Sequence, residues 1–121
     1  MFAVAIGGAC GAVLRYFLSQ IGKNIAFPLA TIGINLLGCF IAGIVFALEI
    51  QSRLKPSTIQ FFKIGFCGSL TTFSTFSLDT FSLLKHGQYG LALCNISLQV
   101  ILGIACVIFG FILGKWVTRM T

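Results

Sequence analysis

The chain is 121 residues long, 58% hydrophobic and 8% charged, with a formal net charge of +6 and a mean hydropathy of +1.06. A soluble domain carries about 25% charged residues to cover its surface, so eight basic and two acidic side chains place this chain in lipid. Paired-carboxylate catalysis has only Glu49 and Asp79 to draw on and transition-metal chemistry only His86, while the basic residues stand singly rather than in the clusters nucleic acid requires.

Residues 2–18 form the first apolar segment, long enough for a spanning helix and ending in Arg15-Tyr16, a pair suited to a membrane interface. No positive charge precedes its apolar core, so it is expected to be a retained span rather than a cleaved leader. The polar stretch 19–24 breaks the run. Pro28 opens a second segment, a position where its missing amide hydrogen costs nothing. This segment continues to residue 50 and stops at Glu49, Gln51, Ser52 and Arg53.

Pro56-Ser57 opens a third segment, residues 56–84, and a loop at 85–88 leads to a fourth, residues 89–116, anchored by Lys115, Trp116 and Arg119. Glu49 and Asp79 read as helix-end residues at the interface. Gly7 with Gly11, and Gly110 with Gly114, are small-xxx-small pairs that let helix backbones approach closely in lipid. Cys10, Cys39, Cys67, Cys94 and Cys106 all fall in apolar runs with no C-x-x-C spacing, and read as buried small hydrophobes.

Four spans put the termini and the loop near 51–57 on one side, with Arg53, Lys55, Lys63, Lys115 and Arg119, against Arg15, Lys23 and Lys85 on the other. Five against three is a weak bias under the positive-inside rule. It is compatible with insertion in both orientations, and so with an antiparallel dimer.

The third segment is unlike the others. Gly65-Phe66-Cys67-Gly68-Ser69-Leu70-Thr71-Thr72-Phe73-Ser74-Thr75-Phe76-Ser77 is rich in hydroxyls and contains two glycines, residues that weaken or bend a helix in lipid. It reads as a helix break, whose freed carbonyls suit a cation such as sodium. The other reading is a continuous helix whose hydroxyls bond back to the preceding turn. Phe73 and Phe76, three apart, share a helix face. Ring edges carry positive potential and attract an anion weakly enough to release it, although phenylalanines also fill cores and face lipid.

Asn35 in the second span either donates to a passing anion or ties helices together. Asn95 and Gln99, four apart in the fourth span, either continue a polar track or bond across helices. Arg15 either snorkels to headgroups or concentrates anions at a pore mouth.

Gly7-Gly8 through Arg15-Tyr16, then Gly33-Ile34-Asn35-Leu36-Leu37-Gly38, then Gly65-Phe66-Cys67-Gly68 through Thr71-Thr72-Phe73-Ser74-Thr75-Phe76-Ser77 resemble, in order and spacing, the Fluc (CrcB) family of fluoride channels. The resemblance covers nearly the whole chain, and its T-T-F-S-T-F run is the most specific part. It implies an all-α integral membrane protein, one channel domain over residues 1–121, with four transmembrane helices of which the third is broken. The same resemblance implies an antiparallel, dual-topology homodimer in the prokaryotic plasma (inner) membrane, with two fluoride pores along its interface.

In that family pattern the ring edges of Phe73 and Phe76 line the pore, and Asn35 contacts fluoride or holds those rings. Ser74 and Thr75 match hydroxyls near the ion path, and Arg15 matches an arginine near the vestibule. The carbonyls of Gly68 and Thr71 match those that hold a structural sodium ion on the two-fold axis. Asn95 and Gln99 stand on a stripe where members vary. Ser69 replaces a common second glycine and Asp79 a common glutamate. The implied partners are fluoride, a second copy of the chain and lipid, with no nucleic acid. The implied task is passive release of fluoride that entered as neutral hydrogen fluoride and ionised in the cytoplasm.

Two rival functions make different demands. A small multidrug exporter needs an acid deep in its first span, and residues 2–18 contain none. A membrane scaffold subunit would leave ion flux unchanged when its polar residues are altered.

Overall fold

The computed structural model describes residues 1–21, 25 and 27–120. Its order is α1 (Phe2–Ser19), α2 (Leu29–Ile50), α3 (Pro56–Ile59), a π-helical stretch (Gln60–Cys67), α4 (Gly68–Leu70), α5 (Phe73–Lys85) and α6 (Tyr89–Arg119). The described residues are helical with short connections, as the all-α reading requires. Helices α1, α2 and α6 are each long and apolar enough to cross a bilayer. Gly22, Lys23 and Asn24 of the expected first loop lie outside the described residues, and with them the Lys23 charge in the orientation count.

Local chemistry sets most boundaries. At the end of α1, Ser19 Oγ and Gln20 Nε2 donate to the Tyr16 carbonyl at 2.7 and 3.1 Å, satisfying an acceptor the helix itself leaves open. Pro28 caps α2 from just outside, its carbonyl accepting the Ile32 amide at 3.1 Å. Pro56 occupies the first turn of α3 after an extended Lys55.

Two helices end in the same left-handed hairpin of hydrogen bonds. After α5, the amides of Gly87 and Gln88 donate to Leu84 and Leu83 at 3.0 and 2.9 Å, with Gly87 at φ +72°. After α2, Ser52 and Arg53 donate to Glu49 and Leu48 at 2.9 and 3.0 Å, with Ser52 at φ +52°. Glu49 lies in the last turn of α2, as expected. Asp79 does not lie at a helix end: it sits midway along α5 and accepts a hydrogen bond from Thr31 Oγ1 at 2.7 Å.

Glycine seams assemble the helices. A Cβ on Gly7 would meet the Phe61 carbonyl oxygen, and one on Gly11 that of Phe66, so α1 lies backbone-to-backbone on the π-helical stretch. Gly65 answers from the other side, 2.6 Å from the Val4 oxygen by the same measure. Among the described residues, helices α2 and α6 make the most extensive pairing. Gly43 faces the Val107 carbonyl, Gly110 that of Phe40, and Gly114 the Ala47 methyl. The two glycine pairs are therefore packing devices. The wide turns over Gln60–Cys67 had no sequence signal, and they coincide with the tightest backbone contact on α1.

Not every cysteine is buried: Cys67 is, Cys39 and Cys106 are partly covered, and Cys10 and Cys94 are exposed. Many large apolar side chains also face outward, among them Phe2, Phe17, Leu78, Phe81, Ile104 and Phe109. In water such a surface would drive aggregation; in lipid it is the solvated face.

Candidate functional site

The expected break occurs at Thr71-Thr72. Helix α4 stops at Leu70, Thr71 takes φ −73°, ψ 151°, Thr72 takes φ −145°, ψ 113°, and α5 restarts at Phe73. Thr71 stays tied to the preceding turn, its amide and hydroxyl both donating to the Cys67 carbonyl at 3.0 and 2.9 Å. Thr72 caps α5, with its Oγ1 accepting the Thr75 amide at 3.1 Å. One threonine thus ends a helix and the next begins another.

The break is held from α2. An extended residue presents its N–H and C=O to the same side, and a carboxamide can pair with both. Asn35 does so: its Oδ1 accepts the Thr72 amide at 2.7 Å, and its Nδ2 donates to the Thr72 carbonyl at 3.3 Å. Gly38, one turn further along α2, leaves room for the Thr71 methyl, which a Cβ there would strike.

Two backbone carbonyls lose their helical donors as a result. In a continuous helix the Thr72 amide would bond to Gly68 and the Thr75 amide to Thr71. Here they go to Asn35 Oδ1 and Thr72 Oγ1.

From Asn35 a chain of hydrogen bonds runs into α6 and returns to α5. Asn35 Nδ2 donates to Gln99 Oε1 at 2.6 Å, Gln99 Nε2 to Asn95 Oδ1 at 3.0 Å, and Asn95 Nδ2 to Thr80 Oγ1 at 3.0 Å. Thr80 Oγ1 donates to the Phe76 carbonyl at 2.8 Å. Asn95 is 0% exposed, a burial that only full pairing makes tolerable.

Two clefts meet at Thr72. One, of about 270 Å³, is lined by Asn35, Thr71, Thr72, Phe73, Phe76 and Gln99. The Phe73 and Phe76 rings stand there 5.5 Å apart, tilted by 47°, and Phe73 is 79% exposed. The other cleft, of about 340 Å³, is lined by Arg15, Tyr16, Ser19, Thr31, Thr72 and Thr75.

The structure therefore brings Asn35, Thr71, Phe73, Phe76 and Gln99 together, with Arg15 and Thr75 across the break from them. Asn95 lies behind Gln99, Ser74 is exposed near the Thr72 hydroxyl at 3.2 Å, and Gly68 borders neither cleft. Thr31 and Thr80 are site residues that the sequence did not mark, and Gly38, though part of the second matching block, had no role assigned to it. Hydroxyls and glycines are common in membrane helices, and only their positions across helices single these out.

Comparison with known proteins gives a concordant result. A family profile described as CrcB-like protein, Camphor Resistance (CrcB), matches residues 2–111. The chain is 42% identical over 120 residues to a protein of Azobacteroides pseudotrichonymphae genomovar. CFP2, covering 96% of each chain, and that protein is named a fluoride-specific ion channel, FluC. Proteins of the same name from Thermococcus onnurineus and Campylobacter fetus subsp. fetus are 44% and 36% identical. These matches cover 93% and 99% of this chain and 94% of each relative.

Proposed function

This chain belongs to the CrcB-like family, and from that membership we propose that it is a fluoride-selective channel of the prokaryotic plasma membrane. It is a transport protein, not an enzyme. The ion enters the cytoplasm as neutral hydrogen fluoride, ionises, and leaves passively down its electrochemical gradient. The observation that carries this reading is the cleft in which Phe73 and Phe76 stand beside Asn35 at an opened stretch of backbone.

In this reading the ring edges of Phe73 and Phe76 pass fluoride without the tight hold a cationic side chain would impose. Asn35 keeps the break open, while Gln99 adds an amide to the wall. Ser74 and Thr75 offer hydroxyls along the path, and Arg15 raises the anion concentration in the second cleft.

The pore lies between two antiparallel copies of the chain. Support comes from Phe73, which is 79% exposed in a cleft whose polar lining of Asn35, Thr72 and Gln99 suits lipid poorly, and from Gly68. Among the described residues only the Lys63 oxygen comes within reach of a Gly68 Cβ, at 3.9 Å, which leaves room beside that glycine for a second copy. The segments Pro56–Leu70 and Phe73–Lys85 together make the third of four crossings.

The carbonyls of Gly68 and Thr71 fit a structural sodium ion: both are hard oxygen donors, and both have lost their helical amides. Bound between the two copies, sodium would supply fixed positive charge where two helix breaks meet.

The test is fluoride efflux from liposomes containing the purified protein, read with a fluoride electrode beside a chloride control. Rapid fluoride release with chloride retained is expected. A well-folded protein that releases neither ion removes the channel reading. Repeating the assay in rigorously sodium-free buffer should abolish conduction or assembly, and full activity there would remove the sodium site.

A further inference from the structure

The hydrogen-bond chain behind the phenylalanine cleft has one direction along its whole length. It begins at a backbone N–H, that of Thr72, and ends at a backbone carbonyl, that of Phe76. Neither can be turned round, so every carboxamide between them is oriented by chemistry rather than by choice. The Thr80 hydroxyl proton is spent on Phe76, which leaves its oxygen as acceptor for Asn95. Asn95 must then turn its Oδ1 to Gln99, and Gln99 its Oε1 to Asn35.

Asn35 needs no such help, since Thr72 holds both of its ends. Gln99 does. It has one more rotatable bond than asparagine, lines the cleft, and is gripped by Asn35 at its oxygen alone. Asn95 grips its nitrogen. Gln99 Nε2 then carries a second proton that no bond in the chain uses, an N–H donor on the wall of a cleft read here as an anion path.

We propose that Asn95 is a positioning residue for fluoride conduction: buried behind the cleft, it locks the Gln99 carboxamide so that a spare N–H, and not a carbonyl oxygen, is available to the ion. Thr80 sets the orientation of Asn95 and so belongs to the same device. The inference rests on the channel reading above. It gives Asn95, which lies outside the cleft lining, a supporting role in place of either a stretch of polar track or a plain tie between helices.

Two measurements on the full-length protein test it separately from that reading. The first follows the Gln99 side-chain amide by NMR in micelles. Thr80→Val and Asn95→Ala should make the proton that Gln99 donates to Asn95 exchange faster with water by about tenfold, the loss of one hydrogen bond, while Thr80→Ser should preserve protection. Unchanged protection in Thr80→Val and Asn95→Ala overturns the proposal and leaves the channel reading intact.

The second measurement is a flux cycle in liposomes, restricted to variants that elute as assembled protein. Asn95→Ala should lower fluoride flux about tenfold in the parent chain and less than about twofold in a Gln99→Ala background. Equal losses in both backgrounds, or none in the parent, overturn the proposal. A parent chain that conducts no fluoride while its Gln99 amide is protected fails the channel reading, and the proposed role in conduction with it.

Discussion

The two halves of the broken segment are held in opposite ways. Residues 60–70 lie against α1 with glycine on both sides, backbone on backbone, and bury Gly65, Cys67 and Leu70. Helix α5 buries only Thr80 and Leu83, leaves Phe73, Leu78 and Phe81 exposed, and is fixed largely by hydrogen bonds from Asn35, Thr31 and Asn95. The first half is an anchor set by shape. The second is a platform set by polar contacts, and these leave its apolar face uncovered, the face on which the proposed ion path and second copy would lie. Tight packing there would cover Phe73, one of the two rings assigned to the pore in the proposed channel.

The largest effect should come from adding bulk to the anchor. Gly11→Leu sets a side chain against the Phe66 carbonyl, where a rigid backbone cannot yield. Overpacking costs about 1–3 kcal/mol, and two facing backbones put this site at the upper end. The expected result is loss of the monodisperse species on size exclusion in detergent. A variant that elutes and melts like the parent would show that α1 and the π-helical stretch can separate.

On the platform the same degree of damage should spare assembly and strike transport. Phe73→Ile or Phe76→Ile should cut fluoride efflux by about tenfold or more, equivalent to about 1.4 kcal/mol in the barrier, with the elution profile unchanged. Normal flux in both variants removes the proposed role of the rings.

Thr72 lies between the two halves, and its substitution should touch both properties modestly. Thr72→Ala removes the cap of α5, worth about 1 kcal/mol, so the melting temperature should fall by a few degrees, whereas Thr72→Ser should keep it. If alanine and serine behave alike, the Oγ1 contact with the Thr75 amide is not what restarts the helix.

The smallest effect sharpens the comparison from outside it. Ser52 adopts the left-handed conformation that Gly87 adopts at the equivalent place after α5. Ser52→Gly should raise stability by a few tenths of a kcal/mol to about 1 kcal/mol, since the strain of a left-handed residue with a Cβ is partly offset by glycine's greater unfolded-state entropy. Flux should not change. A fall in melting temperature would mean that the Ser52 side chain contributes something its backbone does not reveal.

Much of this was legible in sequence because it is local or periodic. Apolar length marks α1, α2 and α6, the prolines at 28 and 56 mark helix starts, and the small-xxx-small spacing marks the glycine seams. The T-T-F-S-T-F run carries its own stop and start, since adjacent threonines can serve as a terminator and a cap. Phe73 and Phe76 had to meet once α5 formed, being three apart on one helix.

Contacts between helices decided the rest. Asp79 has the sequence character of a helix-end residue, but it lies midway along α5, where Thr31 of α2 donates to its carboxylate. Asn35, Gln99, Asn95 and Thr80 are scattered over three helices, and nothing in their spacing shows that they form one directed chain. Sequence alone determined that this protein lives in lipid and where its long helices lie, and it marked the stretch in which a break was expected, because hydropathy, proline and hydroxyl runs act within a few residues. Only the tertiary structure decided which polar groups meet at the break and which way each amide points, because a buried hydrogen bond is fixed by the partner across the helix interface and not by the neighbour along the chain.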